Sequence, residues 1–152
     1  MTSAQNPPRR FDPWGVQLVF RTDAQLAQDP LLSLEQFSVG GHATVRGYRE
    51  NELVRDNGVV SSLELRVPLW TDVAGRPGVQ LCPFFDWGNS WNTDRPEAEP
   101  QTLMSAGVGL RFALTNHLEG QIYWGEELRK VADPPDRDLQ DTGVHFQLAL
   151  IY

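Results

Sequence analysis

The sequence predicts an all-β chain: an antiparallel transmembrane β-barrel segment of about six strands, with one long inserted loop. Three observations carry that prediction. Six stretches alternate apolar and polar side chains with a period of two, and no helical pattern interrupts them. Their connections run long, short, long, short, long, as in outer-membrane barrels with tight inner turns and longer outer loops. Trp14, Trp70, Trp87, Trp124 and Tyr152 lie at or near strand ends, where interfacial aromatic girdles sit.

Residues 1–12 read as a disordered or trimmed lead-in, and 13–152 as the barrel segment. Met1 to Arg10 is polar and holds Pro7 and Pro8, so it is not expected to act as a signal peptide. An exported product would then need more than this chain. The first strand runs from Trp14, with Val16, Leu18 and Phe20 on one face and Val19, Arg21 and Asp23 on the other. A long loop over 29–57 follows, in which Leu31 to Phe37 is either a short helical turn or irregular. The second strand is Val59 to Leu69. Val59, Ser61, Leu63, Leu65, Val67 and Leu69 share one face; Val60, Ser62, Glu64 and Arg66 share the other.

Trp70 to Gly78, with Gly75, Pro77 and Gly78, is expected to turn. Val79, Leu81, Pro83, Phe85 and Trp87 then form an apolar face opposite Gln80, Cys82, Phe84, Asp86 and Gly88. A polar loop over 89–102 leads to the series Met104, Ala106, Val108, Leu110, Phe112 and Leu114. A tight connection at Thr115-Asn116-His117 precedes Leu118, Gly120, Ile122 and Trp124. An acidic, proline-containing loop covers about 125–142. In the last strand Val144, Phe146, Leu148, Leu150 and Tyr152 face one way and His145, Gln147 and Ala149 the other.

Alternation alone leaves open which face is inside. A small soluble barrel has an apolar interior, and a soluble β-barrel binding module fits the pattern on that reading. The aromatic positions favour the membrane alternative. Six strands do not enclose a wet lumen, since eight already fill with side chains. On the membrane reading the chain is therefore either part of a larger barrel or one that must oligomerise. No apolar run approaches the ~20 residues of a membrane helix. The formal charge of −7 argues against nucleic acid as a partner.

The loop holds the most informative stretch, Gly40 to Gly58. It is too polar and glycine-rich for a strand or core helix, and loops of that length in a compact domain are usually functional. At its centre Val45-Arg46-Gly47-Tyr48 sets one fixed cation between small residues and an aromatic. Together with Glu35-Gln36-Phe37-Ser38-Val39-Gly40-Gly41, Asp56-Asn57-Gly58, Glu64-Leu65-Arg66-Val67-Pro68-Leu69 and Phe84-Phe85-Asp86-Trp87-Gly88, this motif set resembles the two-partner secretion transporters. These are the hemolysin activator, or TpsB, family of outer-membrane proteins that export hemolysins and filamentous adhesins. The resemblance spans about Trp14 to Tyr152.

The resemblance implies the C-terminal part of a sixteen-stranded barrel that follows two periplasmic POTRA domains. The loop would enter the lumen, and Arg46 of Val45-Arg46-Gly47-Tyr48 would pair with Asp86 of the strand carrying Phe84, Asp86 and Gly88. Alternation agrees, since those three share the polar face. Gly88 would leave room for the loop and Gly47 would allow its sharp turn. Phe146, Leu148, Leu150 and Tyr152 would form the terminal signal for the barrel-assembly machinery. The implied partners are a secreted exoprotein, outer-membrane lipid and that machinery, in the bacterial outer membrane. A barrel-assembly or insertase branch of the same superfamily is the alternative, because both branches use the loop motif.

An enzyme is not expected, and neither is a cofactor. His42, His117, His145 and Cys82 lack metal-ligand spacing. Ser61, Ser62 and Ser105 lack a His/Asp arrangement in the sequence. Gly107-Val108-Gly109 sits inside a strand pattern, so it is no phosphate loop; its glycines are expected to let the loop pack against the wall.

Overall fold

The computed structural model describes residues 9–11, 15–71, 75–94, 96, 99–115, 118–131 and 142–150. Its elements there are strands: β1 (Arg9–Phe11), β2 (Val16–Gln25), β3 (Phe37–Val39), β4 (Leu53–Arg55), β5 (Asn57–Thr71), β6 (Pro77–Trp91), β7 (Thr102–Thr115), β8 (Leu118–Glu127) and β9 (Val144–Leu150). Seven form one antiparallel sheet in the order β1-β2-β5-β6-β7-β8-β9; β3 and β4 pair as a separate hairpin. Apart from the excursion that holds the hairpin, each strand pairs with its neighbour in sequence.

The two faces of the sheet are inverted relative to a soluble barrel. Along β6, Cys82, Phe84, Asp86, Gly88 and Ser90 are buried, while Pro83 and Phe85 between them are exposed. The bare face carries Phe20, Leu63, Leu65, Leu110, Ile122, Phe146 and Leu148. Apolar side chains left open and charged ones covered suit a wall that faces lipid. Trp70 (52% exposed) stands by the short β5–β6 connection and Trp124 (47%) near the opposite end of its strand. Trp14, His117, Ile151 and Tyr152 lie outside the described residues, as do Asn116 and most of the acidic loop.

The covered face is covered by the chain's own excursion between β2 and β5. Val39, Val45, Tyr48 and Leu53 from that excursion pack on Val60 of β5 and Leu103 of β7, flanked by Phe37 and Val131. Each such side chain removed from water contributes about 1.5–3 kcal/mol. The main apolar core thus holds the loop to the sheet.

The main sheet holds seven strands, in keeping with the about six expected. Arg9–Phe11 pairs with Val16–Leu18 inside the stretch expected as lead-in. The expected loop over 29–57 is not irregular throughout, because Phe37–Val39 pairs with Leu53–Arg55. Leu31 to Phe37 is a turn, closed by Glu35 N donating to Leu32 O (2.8 Å), that runs into β3. β5 begins at Asn57 rather than Val59, and β5 and β6 continue to Thr71 and from Pro77 through the expected turn. The reason is common to all of these. Ladder pairing is a main-chain matter, whereas side-chain alternation registers only where one face meets a uniform environment.

Candidate functional site

The loop tip is built to be rigid before it meets the wall. Thr44 Oγ1 accepts from Gly40 N (2.8 Å) and donates to Gly40 O (2.9 Å), while Gly41 N donates to Val45 O (3.1 Å). His42 N donates to Glu50 Oε1 (2.8 Å), tying the two limbs together. Gly47 then turns the chain at φ 96°, where an L side chain is strained.

Strand register prepares the receiving surface. Ser62 lies opposite Asp86, which lies opposite Ser105; Glu64 lies opposite Phe84, which lies opposite Gly107. Two adjacent rows of the covered face therefore present two carboxylates and a phenyl ring at one place. Arg46 enters there. Its Nε donates to Asp86 Oδ2 (2.8 Å), its Nη2 to Asp86 Oδ1 (2.8 Å), and its main-chain N to Oδ2 (3.1 Å). Nη1 donates to Glu64 Oε2 (2.5 Å) and Nη2 also to Ser62 Oγ (3.0 Å). Ser62 Oγ in turn donates to Asp86 Oδ1 (2.6 Å), and Arg66 Nε to Glu64 Oε1 (2.8 Å).

Two cations and two anions thus meet in one cluster with no net charge. The fork geometry uses the guanidinium's fixed donors in a way a lysine does not match. The guanidinium carbon lies 3.7 Å from the Phe84 ring centroid and 4.7 Å from that of Tyr123, so two π faces add to the charge-assisted bonds. Burial opposes the charge on Arg46, but the bonds to Asp86 and Glu64 outweigh it and hold its pKa above the ordinary arginine value. Asp86 is fully buried, and losing its partner would leave an uncompensated charge.

Around this cluster the remaining motif residues hold the tip. Val45 is buried, and Gly88 lies where a Cβ would stand 2.5 Å from Val39 and 2.9 Å from Val45 side-chain atoms. Tyr48 is buried with its hydroxyl 2.8 Å from Met104 O and 2.6 Å from Arg129 O, and the main-chain N–H groups of Met104 and Arg129 approach it at 3.3 Å. Gly47 N donates to His145 Nε2 (3.3 Å). The atoms nearest a Cβ at Gly107 and Gly109 belong to the wall rather than to the loop expected there. The two glycines make room for Phe84 and Tyr123, the rings that flank Arg46. Phe146 and Leu148 stand exposed on the bare face of β9; Leu150 ends that strand with its side chain outside the described set, as is Tyr152.

A second cluster ties down the base of the loop, and the sequence reading missed it. Asp56 is fully buried; its Oδ1 accepts from Leu31 N (3.0 Å) and Gln36 Nε2 (3.0 Å), and its Oδ2 from Thr93 N (3.0 Å). Asn57 Oδ1 accepts from Ala27 N (2.6 Å), and Arg55 donates to Ser90 O and Pro100 O. Asp56-Asn57-Gly58, in the sequence only one motif of the resemblance, joins the limbs of the loop to the β6–β7 connection. Glu64 was legible only as a polar-face residue; opposition to Phe84 makes it Arg46's second carboxylate. Among the described residues no three His, Cys, Asp or Glu side chains converge as a metal site.

The comparisons with known proteins bear on this geometry. The sequence profile of the haemolysin secretion/activation proteins ShlB/FhaC/HecB matches residues 8–112, a stretch that includes the loop, Arg46, Glu64 and Asp86. Among solved structures, CdiB from Acinetobacter baumannii superposes with a TM-score of 0.63 at 24% identity, over 81% of this chain and 22% of that one. The likeness in fold is therefore to less than a quarter of that protein's length. No curated protein is significantly similar to the chain. The profile match covers more than half of the chain, so the chain belongs to the ShlB/FhaC/HecB haemolysin secretion/activation family.

Proposed function

We propose that residues 13–152 are the C-terminal part of a barrel that passes an unfolded exoprotein of the hemolysin or adhesin kind across the outer membrane by two-partner secretion. Passage is passive and needs no nucleotide or catalytic group. The observation that supports this best is the neutral Arg46–Asp86–Glu64–Arg66 cluster buried between an inserted loop and a wall whose other face is apolar. A charge-neutral lock holds a loop inside a lumen without fixing a strong field there, so the lumen stays open to cargo of varied charge. Arg46 and Asp86 hold the loop in its working position. Lipid covers the bare face, and the barrel-assembly machinery reads Phe146, Leu148, Leu150 and Tyr152 on the last strand.

The test is Arg46→Ala and Asp86→Ala in the whole transporter that carries this chain. Secretion of its exoprotein is expected to fall while the heat-modifiable barrel persists in outer membranes. Normal secretion by both variants would sink this role.

A further inference from the structure

Away from the Arg46 site the sheet's covered face carries an ordered row of polar side chains, one of which, Gln121, reaches the loop. Register sets Gln80 of β6 opposite Arg111 of β7, Arg111 opposite Gln121 of β8, and Gln121 opposite Gln147 of β9. Residues directly opposite share a face and lie within contact range, so the row crosses four adjacent strands at one height. It is internally bonded: Arg111 Nη1 donates to Gln121 Oε1 (2.7 Å), and Gln121 Nε2 donates to Gln147 Oε1 (2.8 Å). A cavity of about 250 Å³ opens on it, lined also by Glu119 and Ala149. The row lies toward the short connections from the Arg46 site. Phe84, Gly107 and Gly125 each stand four positions along their strands from Gln80, Arg111 and Gln121.

The amides keep unused capacity. Each glutamine offers two donor hydrogens and an acceptor. Among the described residues the Gln80 amide makes no hydrogen bond and Gln147 uses only its oxygen.

We propose that the Gln80–Arg111–Gln121–Gln147 row is a contact site for an extended, unfolded polypeptide, engaged through its main chain. The proposal rests on the reading above, that this chain is the wall of a protein-conducting barrel. A primary amide presents the same donor and acceptor as a peptide group, so a row of amides meets any main chain whatever side chains it carries. Arg111 adds donors for carbonyl oxygens. The side chains of the row are all polar, with no large apolar group among them to select one residue type. Contacts of this kind are weak and uniform, which lets a moving chain pass from one to the next.

Gln121 connects the row to the loop. Its Nε2 lies 3.0 Å from His42 Nε2. Because Arg111 takes the amide oxygen, the nitrogen is the end that faces His42. A cargo carbonyl that accepts from Gln121 competes with His42 for that N–H, so engagement of the row loosens one of the bonds that seat the loop tip.

The test uses the whole transporter in planar lipid bilayers and reads the duration of current blockades. The probes are an unstructured Gly-Ser repeat peptide and the same peptide N-methylated at every main-chain nitrogen, which removes its N–H donors. In the wild type the Gly-Ser blockades are expected to last roughly two- to tenfold longer, the range that one net hydrogen bond spans. That ratio is expected to approach unity in the Gln80→Leu/Gln121→Leu/Gln147→Leu variant and to drop partway in Gln80→Leu alone, a half-buried position whose amide oxygen is the row's spare acceptor for a peptide N–H. Equal durations for both probes in the wild type overturn the site and leave the transport reading standing. A wild-type ratio retained in both variants, with conductance unchanged, overturns it as well. A pore that neither probe enters overturns the transport reading, and the site with it.

Discussion

Gly47 at the loop tip and Gly125 on β8 meet backbone to backbone. A Cβ on Gly47 would stand 2.9 Å from the Gly125 carbonyl oxygen, and a Cβ on Gly125 would stand 3.1 Å from the Gly47 Cα and nitrogen. The tip lies as near the wall as two main chains allow, and that approach brings Arg46 within reach of Asp86. A loop held at side-chain distance would leave the guanidinium short of a carboxylate that is itself fully buried.

Substitution at Gly125 is therefore expected to lift the tip without touching a charge. Gly125→Ala asks three main-chain atoms to yield by a few tenths of an ångström, and Gly125→Val asks more. Overpacking of this kind costs about 1–3 kcal/mol, with valine at the upper end. Hydrogen exchange at the amides of 41–48 in the whole transporter checks it, with the order wild type slower than Gly125→Ala slower than Gly125→Val. Exchange in Gly125→Val as slow as in wild type would show that the tip does not seat there.

Arg46→Lys keeps the charge and is still expected to release the tip. An ammonium on a flexible stem is a single point donor group, whereas the guanidinium bonds Asp86 through two nitrogens and Glu64 through a third. Removing one member of a buried pair costs about 3–5 kcal/mol, and the lysine variant is expected to lose a large share of that. Protease cleavage within 40–50 reads the release. A lysine variant protected like the wild type would mean that charge alone holds the loop.

Sheet faces were legible in the sequence because alternation records environment. Asp86 and Gly88 share the covered face, and Phe85 and Trp87 the bare one, as the period of two requires. The cluster around Arg46 was legible only in part. That Ser62 and Glu64 join Asp86 depends on β5–β6 register, and a slip in register would move each side chain to another neighbour. The β3–β4 hairpin was hidden because three-residue strands show no period. Asp56 was hidden for a different reason. Its chemistry comes from main-chain N–H groups of Leu31 and Thr93, which any residue types supply.

The Asp56 clamp is expected to matter as much as the tip. Asp56→Ala strands the Leu31 and Thr93 N–H groups and the Gln36 amide in a part-buried site, each worth about 1–3 kcal/mol if left unmet. Asp56→Asn keeps the shape but loses the charge and is expected to lose less. Cleavage of the loop base at 27–36 by added protease should rank wild type, Asn, then Ala in increasing order. Because Arg46 and Asp86 are untouched, slow exchange at 41–48 is expected to survive in the Asn variant. Loss of tip and base protection together in Asp56→Asn would show the two clusters to be one cooperative unit.

His42 gives the docked loop a pH dependence. Gln121 donates to His42 Nε2, so the docked imidazole is neutral with its proton on Nδ1. Burial holds its pKa below the ordinary value of 6.5, with the facing His145, Arg46 and Arg21 adding to the effect and Glu50 opposing it. The docked loop therefore binds fewer protons than the released one between that lowered value and 6.5. Docking strength from this group is complete above pH 6.5 and is lost as pH falls through the lowered value. Protease cleavage within 40–50, scored with an acid-tolerant protease, is expected to rise from pH 7 to pH 5. His42→Asn keeps an acceptor for Gln121 but does not titrate, and it should make the profile shallower, with the remaining slope from His145, whose Nε2 accepts from Gly47 N. A profile in His42→Asn as steep as the wild type's would place the titrating group elsewhere in the contact.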